Sequence, residues 1–159
     1  MNLFFNVGVA ESLLCIMFFG TLVTVSIFDL YKMKIPDFLC VIILVVGIIS
    51  MFFMKDIKMV DRLLGIFVVS TPMFAIAMLA RKGFGGGDIK LMATSGIFMG
   101  AKLIIVSFIL AMIMAGIYII ISYFVKNKSI KNGFALGPCF SIGMIISCML
   151  GKQIWNLIL

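Results

Sequence analysis

The sequence contains no histidine and few charges, with 13 Lys plus Arg and 6 Asp plus Glu in 159 residues. Without histidine, Ser-His and Cys-His catalytic triads are excluded, and so are the common histidine-based zinc sites. Cysteine is sparse as well. Cys15, Cys40, Cys139 and Cys148 lack C-x-x-C spacing and fall mostly inside apolar runs. They read as small buried hydrophobes rather than as metal ligands or disulfides. No metal and no cofactor is expected. The first basic residue is Lys32, so the N-terminus lacks the basic region of a cleavable signal peptide. No internal repeat and no low-complexity segment stands out.

What remains is apolar. The chain is 64% hydrophobic with a mean hydropathy of +1.32, more apolar surface than a soluble core needs. The uncharged runs are Ser12 to Phe28, Phe38 to Met54, Leu63 to Ala80, Leu91 to Ala101, Leu103 to Val125 and Asn132 to Gly151. A spanning helix needs about 20 mainly apolar residues, so five runs are long enough and the one starting at Leu91 is short. Continuous rather than alternating apolarity argues against barrel strands. The expectation is an all-α integral membrane protein, a polytopic bundle of six transmembrane helices forming one domain over residues 1–159.

The net charge of +7 belongs to lysines in membrane loops, so a nucleic-acid partner is not expected. The loops after spans one, three and five carry Lys32, Lys34, Arg81, Lys82, Lys90, Lys126, Lys128 and Lys131. The opposite side carries Lys55, Lys58, Arg62, Lys102 and Lys152. That bias puts the first set in the cytoplasm and both termini outside the cell membrane. Trp155 suits an interfacial anchor near the outer end of span six. Oligomeric state is not legible.

The six carboxylates divide by setting. Asp56 and Asp61 share an outer loop with Lys55, Lys58 and Arg62, as a solvated turn would. Glu11, at the start of span one, and Asp37, behind Pro36 at the start of span two, suit helix N-termini. Asp29 is different, because it stands where span one ends. Asp88 follows Gly85, Gly86 and Gly87 at the start of span four. As an N-cap it would be ordinary. Yet the 14 residues from Asp88 to Ala101 give only about 21 Å of helix against a hydrocarbon thickness of about 30 Å. Either Lys102 snorkels out, or Asp88 lies below the membrane surface. Ionisable groups at such depth are functional candidates by default.

A Ser-Lys or Thr-Lys dyad is conceivable through Lys90 and Thr94, but a lysine at the membrane edge ordinarily snorkels to water. Two acids without histidine point instead to aspartic hydrolysis, one carboxylate taking a proton from water while the other donates one. Glycines beside one acid would let a substrate backbone come close. Helix dipoles would favour the charged form at Asp88 and the neutral form at Asp29, making Asp29 the acid. A small transporter or channel, with Asp29 and Asp88 as ion or proton ligands at a broken helix, is the alternative. A non-enzymatic assembly subunit, using its glycines for helix packing, is a third.

Asp29 followed by Ile35-Pro36-Asp37 resembles the first aspartate motif of the type IV prepilin peptidases. Gly85-Gly86-Gly87-Asp88-Ile89-Lys90 matches that family's G-x-G-D-x-K motif. Leu136-Gly137-Pro138 resembles its third signature, usually F-G-P-F, with Leu and Cys in place of the phenylalanines. The resemblance covers essentially the whole chain. It implies a membrane aspartic endopeptidase with Asp29 and Asp88 as the dyad, cleaving basic leaders from prepilin-like proteins at the cytoplasmic membrane face. Gly85, Gly86, Gly87, Lys90 and Pro36 would bind substrate or shape the site. Long members carry a C-x-x-C insertion and an N-methyltransferase activity, and this sequence has no C-x-x-C. The resemblance is therefore to a short form, with peptidase activity alone. Signal-peptide-peptidase and presenilin relatives also use a G-x-G-D motif, but they place the first acid mid-span and use more helices.

Overall fold

In the computed structural model, residues 8–54, 56–79, 84–126 and 135–158 are described. They form five helices and, among the described residues, no strand. These are α1 (Val9–Lys32), α2 (Asp37–Phe53), α3 (Met59–Leu79), α4 (Gly86–Lys126) and α5 (Gly137–Ile158). Three are long and apolar enough to cross a membrane: α1, α3 and the Gly86–Ile121 part of α4. Asp37–Phe53 and Gly137–Gly151 are shorter apolar helices. Outward faces carry Ile16, Phe52, Phe67 and Ile120, all exposed, as a lipid-facing surface requires. Lys55, Arg81, Lys82, Lys128 and Lys131, invoked above for orientation, lie outside the described residues.

Local chemistry sets the boundaries. α1 stops where Met33 turns left-handed (φ 49°, ψ 33°) and its N–H donates to the Asp29 carbonyl at 2.8 Å. Pro36, extended at ψ 135°, precedes α2 and puts Asp37 in the first turn, as the sequence suggests. α4 is not continuous. Gly100 has φ 77° and ψ 169°, a conformation essentially reserved for glycine, and it divides α4 into segments 86–99 and 101–126.

The chain reverses at that glycine. Asp29 meets the first residue of α5, and Asp88 shares a cavity with Asp29, so α5 and the 86–99 segment start at the same end. Along α5, Phe140 stacks on Phe108, Gly143 abuts Ser107 and Ala111, and Ser147 donates to the Leu103 carbonyl at 2.7 Å. Rising numbers on one helix meet falling numbers on the other. The 101–126 segment therefore runs against α5, and against 86–99.

Small residues bring these backbones together, as bundles do where no hydrophobic drive separates helix from lipid. A methyl on Gly65 would sit 2.5 Å from the Gly96 carbonyl oxygen, so α3 and the 86–99 segment touch backbone to backbone. A methyl on Gly143 would sit 2.6 Å from the Ser107 carbonyl oxygen. α1 joins through Phe18, fully buried, whose ring stacks on Phe98 at 4.2 Å.

Arg62 corrects the sequence reading. Expected in a solvated loop, it is buried at 1% exposure. Its Nη1 donates to Ser50 Oγ at 2.7 Å and to the Ile97 carbonyl at 2.9 Å. Its Nη2 donates to the carbonyls of Met54 at 2.8 Å and Ser50 at 3.3 Å. These acceptors lie at the C-terminal ends of α2 and of the 86–99 segment, where helices run out of N–H partners and carry partial negative charge. The guanidinium fork is shaped to serve several at once. Arg62→Leu should lower stability by roughly 2–4 kcal/mol, because several buried carbonyls lose a charged donor. Thermal unfolding in detergent reads this, with exposed Lys58→Leu as the comparison. An unchanged midpoint for Arg62→Leu would show that these bonds contribute nothing net.

Candidate active site

The last turn of α1 and the first turns of α4 and α5 converge at one end of the bundle. Asp29 lies on the buried stripe of α1 that includes Leu22 and Val25, so the packing that buries those residues carries the carboxylate inward. It is 5% exposed, and its Oδ2 accepts the backbone N–H of Gly137 at 2.7 Å. One turn further into α5, Ser141 Oγ donates to the Leu22 carbonyl at 3.0 Å. Two polar contacts thus join α5 to α1.

Asp88 is 9% exposed and does not cap its helix in the expected way. α4 begins at Gly86, and Ile89 N–H already bonds to the Gly85 carbonyl at 3.3 Å. Asp88 is therefore the third helical residue, and its Oδ2 accepts the Gly85 N–H at 3.2 Å. This is the returning half of a capping box. The dipole asymmetry expected from the sequence is offset, because Asp29, though in the last turn of α1, also accepts an N–H from the start of α5. Both acids receive an N–H from a helix start, so helix ends do not decide which one holds the proton.

The two acids face a common space. A cavity of about 270 Å³ is lined by Asp29, Met33, Lys34, Ile35, Gly85, Gly86, Gly87 and Asp88. Asp88 lies within electrostatic reach of Asp29. All three glycines are on the wall. Pro36 is not, but its neighbour Ile35 is, and Ile35 packs against Gly87. Lys90 points elsewhere. Its Nζ pairs with both oxygens of Asp37 at 2.8 and 2.9 Å, with the side chains 57% and 71% exposed. Such a pair contributes little to stability. It ties the start of α4 to the start of α2.

Sequence reading missed Met33 and Lys34 as wall residues, and Gly137 as a partner of Asp29. Lys34 stands between the two aspartate motifs, close enough to Ile35-Pro36 to have been a candidate. Gly137 was visible in Leu136-Gly137-Pro138 but read only as helix punctuation.

Fold and cavity together define a helical membrane protein with two acids from separate helices facing one space. Residues 16–120 match the sequence model of the type IV leader peptidase family, and the chain belongs to that family. The matched stretch contains both Asp29 and Asp88. The chain is also similar to the prepilin leader peptidase/N-methyltransferase of Bacillus subtilis (strain 168), at 23% identity over 139 residues. The alignment takes in 87% of this chain and 56% of that protein, so the chain spans little more than half of its relative. No solved structure matches. The family resemblance read from the motifs is borne out.

Neighbouring glycines on the cavity wall should respond differently to alanine. A methyl on Gly87 would sit 2.9 Å from Ile35 Cβ, whereas one on Gly86 would meet nothing within 4 Å. Gly87→Ala should cost about 1–3 kcal/mol as an overpacked site. Gly86→Ala should be neutral or stabilising by up to about 1 kcal/mol, since alanine favours helix. Thermal midpoints of the two variants, measured side by side, test this; equal losses would contradict the packing described.

Proposed function

We propose that the chain is a membrane aspartic endopeptidase that removes the basic leader of prepilin-like precursors, whether type IV prepilins, pseudopilins or preflagellins. The observation that carries this reading is the shared cavity, which puts Asp29 and Asp88 on one wall system with three glycines. Membership of a leader peptidase family supports the substrate class proposed.

The chemistry follows from two acids and a water. Two carboxylates in one small space hold a proton between them, because a second negative charge is unfavourable there. The ionised carboxylate takes a proton as the water oxygen attacks the scissile carbonyl carbon. The protonated one donates to the carbonyl oxygen. When the tetrahedral adduct collapses, the C–N bond breaks, and the carboxyl that took the water's proton gives it to the leaving amine. The other carboxylate takes a proton from an adduct hydroxyl, whose oxygen becomes the new carbonyl, so the dyad again holds one proton. The open space over Gly86 admits an extended peptide backbone.

The same proposal includes six spans, with the two segments of α4 counted separately. It places the cavity at the cytoplasmic face and both termini outside, on the lysine bias of the loops. The four residues 33–36 join α1 to α2, leaving no insertion between them, and no C-x-x-C occurs in the sequence. Hydrolysis without N-methyl transfer is therefore the activity proposed for these residues. The ion-ligand alternative has no specific observation in its favour within a peptidase family.

Co-expression with a prepilin precursor provides the test. Asp29→Asn and Asp88→Asn should each reduce leader removal by about 10²–10⁴-fold, as expected for the loss of a general acid or base. Normal processing by either variant, at equal membrane abundance, would sink the dyad. The mature product's mass should correspond to an unmethylated N-terminus; an added methyl group would contradict the restriction to hydrolysis.

A further inference from the structure

We infer that Gly137 is a positioning residue for Asp29, its backbone N–H holding Oδ2 so that Oδ1 is the oxygen presented to water. This rests on the dyad proposed above. Four observations support it. The Gly137 N–H to Asp29 Oδ2 bond is short, at 2.7 Å, and links residues 108 apart in sequence. Gly137 is the first residue of α5, where backbone N–H groups have no partner within the helix and the dipole favours an anion. Pro138, next in the chain, has no N–H, so Gly137 supplies the leading donor of that helix start. Finally, there is no room for a side chain. A methyl on Gly137 would sit 2.7 Å from Asp29 Oδ2, 2.8 Å from Cβ and 3.0 Å from Cγ.

The bond and the close approach act on the same group from the same side. The N–H fixes one carboxylate oxygen, and the missing Cβ lets the α5 backbone lie directly against the Asp29 side chain. Gly85 does for Asp88 what Gly137 does for Asp29, with an N–H on Oδ2 at 3.2 Å. Each acid of the proposed dyad is therefore held by the backbone of a glycine at a helix start. Only the Asp88 clamp is local. The Asp29 clamp depends on α5 docking against α1, so the site is incomplete until the last helix is in place.

Steady-state cleavage of a prepilin precursor by purified full-length protein tests the inference. Gly137→Ala should lower kcat by about 10–100-fold with KM within about threefold, because the acid is misplaced while the peptide cavity is kept. Ser141→Ala removes the other polar contact between α5 and α1 without touching Asp29. It should lower the thermal midpoint and leave kcat within about twofold. A folded Gly137→Ala protein with wild-type kcat would overturn the inference, as would an equal loss of kcat in Ser141→Ala.

Should Gly137→Ala not fold, glycine-labelled amide NMR of the otherwise native chain decides the matter. The Gly137 amide proton should move upfield in Asp29→Ala and stay in place in Asp88→Ala. An amide indifferent to Asp29 would overturn the clamp. Failure of the dyad is separable from failure of the clamp: cleavage by Asp29→Asn would refute the dyad while leaving the amide shift intact. Loss of cleavage in both Asn variants, beside an unimpaired Gly137→Ala, would refute the clamp alone.

Discussion

Burying a carboxylate is costly unless donors replace the water it leaves behind. In a helical membrane protein most donors are already committed, because each N–H inside a helix bonds to the turn before it. Free N–H groups occur mainly at helix starts. Asp29 and Asp88 are both buried, and each accepts its backbone hydrogen bond from such a start. The location of the cavity follows from this. It lies where the first turns of α4 and α5 meet the last turn of α1, a place where each of two acids has a helix start to supply its donor.

The opposite signs apply at the far end of the 86–99 segment. There the free groups are carbonyls, and the buried charge is the guanidinium of Arg62, bonded to Ile97 and to the end of α2. Anion at the start and cation at the end match both polarities of the helix. The segment carrying Asp88 is therefore held from both sides: by Ile35 against Gly87 near the cavity, and by Arg62 with the Gly65–Gly96 contact beyond it. With Gly100 reversing the chain immediately after, little is left to vary in where Asp88 sits.

Much of this was legible because a bilayer makes sequence patterns blunt. Uncharged runs marked the helices, Pro36 marked the start of α2, and the motifs at Asp29 and Asp88 marked the acids that share the cavity. What escaped was long-range. A charge among loop charges gives no sign that it will turn inward, so Arg62 was misread as solvated. Lys90 carried a motif position but spends its charge on Asp37. The dipole argument treated each acid with its own helix, and α5 supplied the missing donor from 108 residues away. Helix polarity is a local property, whereas the field at a buried site sums over every helix that ends there.

The glycines show how to separate what the fold needs from what a ligand needs. Gly65, Gly96 and Gly143 allow backbones to touch, Gly87 clears Ile35, Gly137 clears Asp29, and Gly100 turns the chain. Each has a neighbour or a backbone angle that excludes a side chain. Gly86 has neither. It is helical, exposed, on the cavity wall, and nothing stands within 4 Å of where its Cβ would be. A glycine there gives up helix propensity for no packing return. Gly20 and Gly116 are equally unencumbered, but Gly86 alone of the three lines the cavity with Asp29 and Asp88, so under the proposed function the clearance it leaves serves a peptide backbone.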